Sequence, residues 1–165
     1  MSSEAILHSA RLLLDACRQK GVMLATAESC TGGLIAGTLT EVAGSSDVVD
    51  RGFVTYSNEA KNEMIAVPMM LIDENGAVSE EVARAMADGA VKNSNADLAV
   101  AVTGVAGPGG GSAEKPVGLV HVATARKNGD IHHQRMEYGD LGRFEIRQAT
   151  ITTALEMLQG QVSNW

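Results

Sequence analysis

Val22-Met23-Leu24-Ala25-Thr26-Ala27-Glu28-Ser29-Cys30-Thr31-Gly32-Gly33 is the stretch on which the reading of the chain turns. Residues 22–26 read as a short buried strand. Beyond the stretch, Leu34, Ile35, Thr38, Leu39 and Val42 recur at helical spacing and make one apolar face. A tight polar turn joins the two, so the order is strand, turn, helix start. A helix start carries unpaired N–H groups and partial positive charge, and favours an anion or a developing oxyanion. Gly32 and Gly33 remove side-chain bulk where a ligand would approach the backbone. Ser29 stands in the turn itself. Two readings are open there: Ser29 or Thr31 caps the helix, or Ser29 is a nucleophile.

Working outward, residues 4–20 read as an amphipathic helix with Ile6, Ala10, Leu13 and Cys17 on one stripe. Ser3 suits its N-cap and Gly21 its stop. Downstream, residues 51–56 read as a strand, and Ser57 caps a helix that runs to Ile65. Tyr56 therefore stands at a strand end and Lys61 about one turn into a helix. In an open α/β sheet, ligands gather at such strand ends. The plainer readings are a half-buried tyrosine with a wet hydroxyl and a solvated lysine beside Glu59 and Glu63. Pro68 closes this helix, and Met69-Met70-Leu71-Ile72 leads to a turn at Glu74-Asn75-Gly76 without a hairpin.

Ser79 caps a further helix over 80–94. Residues 97–103 have almost no polar side, which suits a central strand covered on both faces. They run into Gly104-Val105-Ala106-Gly107-Pro108-Gly109-Gly110-Gly111-Ser112, too rich in glycine for a helix and of a length that suits a binding loop. It lacks the lysine of a Walker A motif, and no helix follows as a Rossmann unit requires. Residues 117–125 and 131–138 read as antiparallel strands joined at Asn128-Gly129. His132 and His133 point to opposite faces, and His8 and His121 are remote in sequence, so no metal-ligand spacing is present. The last helix covers 143–159, with Asp140 as its expected cap. Arg143 lies in its first turn, against the helix dipole.

At 165 residues, with no repeat and no linker, a single domain over 1–165 is expected. The net charge of −7 and the lack of a basic cluster or an aromatic platform argue against nucleic acid. A nucleotide-sized ligand needs only a few local donors and stays open. Two cysteines make no disulfide framework, and the start of the chain is acidic rather than signal-like, so a cytoplasmic protein is expected. Cys30 reads as a packed thiol rather than a second nucleophile. No apolar run approaches the roughly 20 residues of a membrane span.

Four stretches in register resemble one family: residues 26–33, Gly52 to Lys61, Thr103 to Ser112, and Lys115-Pro116-Val117-Gly118. They are similar to the C-terminal domain of the competence/damage-inducible protein CinA, from about residue 5 to about 160. Stand-alone versions of that domain act as nicotinamide-nucleotide amidohydrolases, and no part of this chain matches the additional N-terminal domain of the longer members. The resemblance implies a three-layer α/β/α sandwich with a mixed, mainly parallel sheet, and a homodimer. It implies hydrolysis of nicotinamide mononucleotide to nicotinate mononucleotide and ammonia, with no metal and no cofactor. By motif position Ser29 matches the nucleophile, Lys61 the general base, and Tyr56 the tyrosine that accompanies them. A Ser-Lys pair is chemically coherent, because burial lowers a lysine's pKa towards that of a useful base. Cys30, Thr31, Gly32 and Gly33 in the first turn, and Thr103, Gly104, Ala106 and Gly107 at the glycine-rich loop, are expected to bind substrate, with the Gly104–Ser112 loop and the Thr31-Gly32-Gly33 turn holding ribose and phosphate through backbone N–H groups. The family's Gly-Asp-Arg is here Gly139-Asp140-Leu141-Gly142-Arg143. Arg143 matches the family's phosphate-binding arginine across a two-residue insertion, and Arg147 is the other candidate.

Overall fold

A computed structural model describes residues 2–165; Met1, part of the acidic start of the chain, lies outside the described residues. The elements are α1 (Glu4–Lys20), β1 (Leu24–Glu28), α2 (Leu34–Thr40), β2 (Val49–Val54), α3 (Asn58–Ile65) and α4 (Met69–Asn75). They continue with α5 (Glu80–Lys92), β3 (Leu98–Gly104), β4 (Leu119–Arg126), β5 (Ile131–Glu137) and α6 (Arg143–Ser163). The sheet order is β2-β1-β3-β4-β5. β1 is parallel to both neighbours and β4 antiparallel to both, so every strand but β4 points the same way. The sheet is mixed and mainly parallel in strand direction, as the family resemblance implies.

Local chemistry sets the helix starts. The hydroxyls of Ser3, Ser57 and Ser79 accept from the N–H groups of Ile6, Ala60 and Val82. The two faces of the sheet differ in kind. Leu24, Leu98, Val100, Val102, Val120 and Val122 pack against α1, α2 and α6. Ala25, Ala27, Ala99, Ala101, Ala123 and Ala125 face α3, α4 and α5. The alanine face lets α5 lie close to the sheet. On α5, a Cβ at Gly89 would run into the backbone carbonyl of Ile65 at the end of α3. That close approach seats α3, and with it Lys61, against the body of the fold.

Four local expectations need correction. The segment after Pro68 is a helix, α4, not an approach to a turn. β1 ends at Glu28 and starts at Leu24, because Glu28 finds buried partners and the strand runs on through it. β2 runs from Val49 to Val54 rather than over 51–56, so Tyr56 lies two residues beyond its end. The residue at the N-cap of α6 is Gly142 rather than Asp140, and no side chain caps that helix.

Candidate active site

β1 ends at the edge of the sheet where the C-terminal ends of the parallel strands lie, and Ser29 follows at once. Its N–H donates to the Val102 carbonyl, 3.1 Å away, so the turn is tied to β3. Beside β1, β2 pairs Val54 with Glu28. The chain then passes Thr55 and Tyr56 and enters α3, which brings Lys61 back over the strand ends. Lys61 Nζ lies 3.1 Å from Ser29 Oγ, 2.8 Å from the Thr55 carbonyl oxygen and 3.4 Å from that of Tyr56.

Lys61 is only 1% exposed, so it is no solvated helix lysine. No carboxylate forms an ion pair with it among the described residues. Burial pushes its pKa down, against a smaller upward pull from Cys30. A neutral amine has two N–H donors and one lone pair. The two carbonyls can only accept, so they take the donors. The lone pair is left for the one neighbour able to give a proton, the Ser29 hydroxyl. In its neutral form an amine oriented in this way is placed to receive that proton.

The cap reading of Ser29 and Thr31 does not hold. α2 starts after Gly33, which has φ 102° and offers no side-chain cap. The N–H groups of Ile35 and Ala36 donate instead to the carboxylate of Glu28, at 2.8 and 2.9 Å. The start of α2 is therefore filled by a side chain of the protein and has no room for a substrate's oxyanion. The N–H of Cys30, directly after Ser29, makes no hydrogen bond to another described residue.

A cleft of about 240 Å³ opens over Ser29. Cys30, Tyr56, Gly104, Ala106, Gly107 and Arg143 line it among others. Thr31, Gly32, Gly33 and Thr103 do not. The Thr31 hydroxyl turns inward to Glu28, at 2.6 Å, and the Thr103 hydroxyl donates to the Ala77 carbonyl. The cleft also takes in Gly109 and Gly110 of the expected binding loop, and Val78, which the sequence did not single out. The N–H groups of Ala106, Gly107, Gly109 and Gly110 have no partner among the described residues. The Tyr56 side chain is 60% exposed, and its hydroxyl meets Arg143 at 3.2 Å. Its tie to Lys61 runs through the backbone carbonyl, not the phenol. Arg143 also donates to the Gly107 carbonyl, at 2.7 Å, and so spans the cleft. Arg147 points elsewhere. Its guanidinium donates to the carbonyls of Cys30 and Thr31, both at 3.1 Å, and braces the turn. Burial pushes the Cys30 thiol up to about 12, which leaves it protonated and inert as a nucleophile.

Across the sheet, β4 and β5 bring together two histidines that are remote in sequence. Ala123 pairs with His133 and His121 with Arg135, so His121 and His133 share a face. His121 Nδ1 and His133 Nε2 lie 2.8 Å apart. No group of three or more His, Cys, Asp or Glu side chains among the described residues is arranged to hold a metal ion. No helix among them is long and apolar enough to cross a membrane.

Fold and site together define an α/β protein with a buried lysine beside a half-buried serine at the strand ends of a mixed sheet. The chain belongs to the CinA C-terminal domain family, which matches residues 7–162. It is 54% identical over 143 residues to a CinA-like protein of Geobacter sp. (strain M21), covering 86% of this chain and 34% of that protein. It is 47% identical over 147 residues to a putative competence-damage inducible protein of Caldicellulosiruptor bescii, covering 89% of this chain and 35% of that one. The chain thus spans about a third of the length of these relatives. Among solved structures, it superposes on the competence/damage inducible protein CihA from Agrobacterium tumefaciens with TM-score 0.94 and 59% identity, over 96% of both chains. The competence damage-inducible protein A from Klebsiella pneumoniae gives TM-score 0.92 and 32% identity, over 97% of this chain and 98% of that one.

Proposed function

We propose that the chain is an amidohydrolase that removes ammonia from the carboxamide of nicotinamide mononucleotide by serine–lysine chemistry. One observation carries this reading: a lysine amine without a carboxylate partner, held by two carbonyls, with Ser29 as its third neighbour. Ser29 Oγ attacks the carboxamide carbon while its proton passes to Lys61 Nζ. The oxyanion of the tetrahedral adduct meets the free N–H of Cys30; such a donor is typically worth about 3 kcal/mol. Lys61 returns the proton to the departing nitrogen, the C–N bond breaks, and ammonia leaves an ester on Ser29. Water, deprotonated by Lys61, then cleaves the ester and restores the serine.

The rest of the cleft suits a mononucleotide. Arg143 and the unpartnered N–H groups of Ala106, Gly107, Gly109 and Gly110 offer a phosphate charge and donors on one wall. The phenol face of Tyr56 is open to a cationic pyridinium ring. Exposed Leu141 and Phe144 beside Arg143, with exposed Val54, support pairing of two copies as part of the same reading.

Ammonia release from nicotinamide mononucleotide, measured with a chelator present and Ser29→Ala alongside, tests the proposal. The expected result is release by the natural protein, unaffected by the chelator and lost in Ser29→Ala. Binding of the nucleotide without release by the natural protein would turn the reading to a non-catalytic nucleotide-binding module.

A further inference from the structure

We infer that Glu28 is the positioning residue that aims Ser29 at its substrate, an inference that rests on Ser29 and Lys61 being the reacting pair. Glu28 is 1% exposed, and no arginine, lysine or histidine pairs with its carboxylate among the described residues. A buried carboxylate needs donors in place of a cation. Here Oε1 accepts from Thr31 Oγ1 at 2.6 Å and from Ile35 N at 2.8 Å. Oε2 accepts from Ala36 N at 2.9 Å and from Thr26 Oγ1 at 3.3 Å. Every partner is a donor and lies within the strand–turn–helix unit that carries Ser29.

The arrangement does two things at once. The side chain clamps the turn from behind, joining strand β1, turn residue Thr31 and the first N–H groups of α2. The backbone carbonyl of the same residue accepts from Thr55 N at 2.9 Å. The carbonyl of Thr55 in turn receives Lys61 Nζ. Glu28 is thus one covalent step from the nucleophile and two hydrogen bonds from the base. It touches neither the cleft nor the reacting atoms, so its part is to fix the distance and angle between the two. A small loss of aim in a reacting pair costs rate rather than binding.

Glu28→Gln keeps the shape but sets an –NH2 group against the N–H of Ile35 or Ala36. Assayed where circular dichroism shows the variant fully folded, it should lose about 10- to 100-fold in kcat with KM changed by less than about twofold. The pH limb that belongs to Lys61 should stay where it is in the natural protein. A folded Glu28→Gln with kcat within about twofold of the natural value overturns the inference, as does a displaced pH limb. If Glu28→Gln does not fold, Thr31→Val removes the shortest of the four bonds; its kcat should fall, and Thr31→Ser should recover most of the loss. Equal kcat in Thr31→Val and Thr31→Ser overturns the inference. Labelling of Ser29 by a fluorophosphonate probe, absent in Ser29→Ala, separates this inference from the choice of substrate. Slower labelling in Glu28→Gln supports the positioning role even if nicotinamide mononucleotide is not hydrolysed. No labelling of the natural protein removes the reacting pair and this inference with it.

Discussion

Lys61→Met replaces a buried amine with an apolar side chain of similar length, and the pH dependence of the result is decisive. Burial holds the Lys61 pKa below its ordinary 10.5, so the unfolded chain binds a proton that the folded chain lacks. Stability therefore rises with pH between the folded value and 10.5, and falls as the pH drops through that window. The slope is about 1.4 kcal/mol per pH unit wherever Lys61 is neutral in the fold and charged in the unfolded chain. Lys61→Met has no such proton to lose. Against that gain it strands the buried Thr55 carbonyl, an unsatisfied acceptor costing about 1–3 kcal/mol. The two effects oppose each other at neutral pH, so a single melting temperature says little, whereas the slope isolates the amine. Urea unfolding of both proteins at several pH values between 7 and 9.5 measures it. The natural protein should gain stability relative to Lys61→Met as pH rises, and turnover in the variant should fall by about 10²- to 10⁴-fold. Parallel stability curves for the two proteins would show that Lys61 is charged in the fold, and the argument for it as a base would fail.

Three further outcomes follow from the geometry. Arg143→Ala removes the cation that faces the cleft, so KM for the mononucleotide should rise about 10- to 100-fold, while the nucleoside without phosphate is turned over as before. Burial first, and then His133, push His121 down to about 4 from its usual 6.5, so the unfolded chain takes up a proton in that window before the fold does. Stability should drop by about 3 kcal/mol between pH 7 and pH 4 beyond the drop seen in His121→Gln, as read by denaturant unfolding. Gly89→Ala would gain about 1 kcal/mol of helix propensity, yet its Cβ meets the Ile65 carbonyl; a net loss of about 1–3 kcal/mol and reduced kcat are expected from calorimetry and turnover together.

Serine caps and apolar stripes marked α1, α3 and α5 in the sequence, and an apolar stripe alone marked α6, because these are local physics that needs no distant partner. The strands were legible for the same reason, and the motif stretches named Ser29, Tyr56 and Lys61. α4 was not legible: Met69-Met70-Leu71-Ile72 is a short apolar run whose period shows only when the fold chooses which side of it to bury.

The site itself belongs to the tertiary structure. Ser29 and Lys61 are 32 residues apart, and only the parallel register of β1 on β2, with Glu28 opposite Val54, brings them to 3.1 Å. Glu28 reads in sequence as one more polar residue before a turn. Its part appears once α2 presents Ile35 and Ala36 to it, and with that the start of α2 ceases to be a place for the substrate. The two arginines of the last helix are alike on paper and one turn apart. The helix direction sends Arg143 to the cleft and Arg147 to the carbonyls beneath it. Sequence alone determined most of the elements, α4 excepted, since caps and periodicity depend on neighbours a few residues away, and its motifs offered Ser29, Tyr56 and Lys61 as candidates. Which of those side chains meet, and which are buried deeply enough to change their protonation, depended on long-range packing.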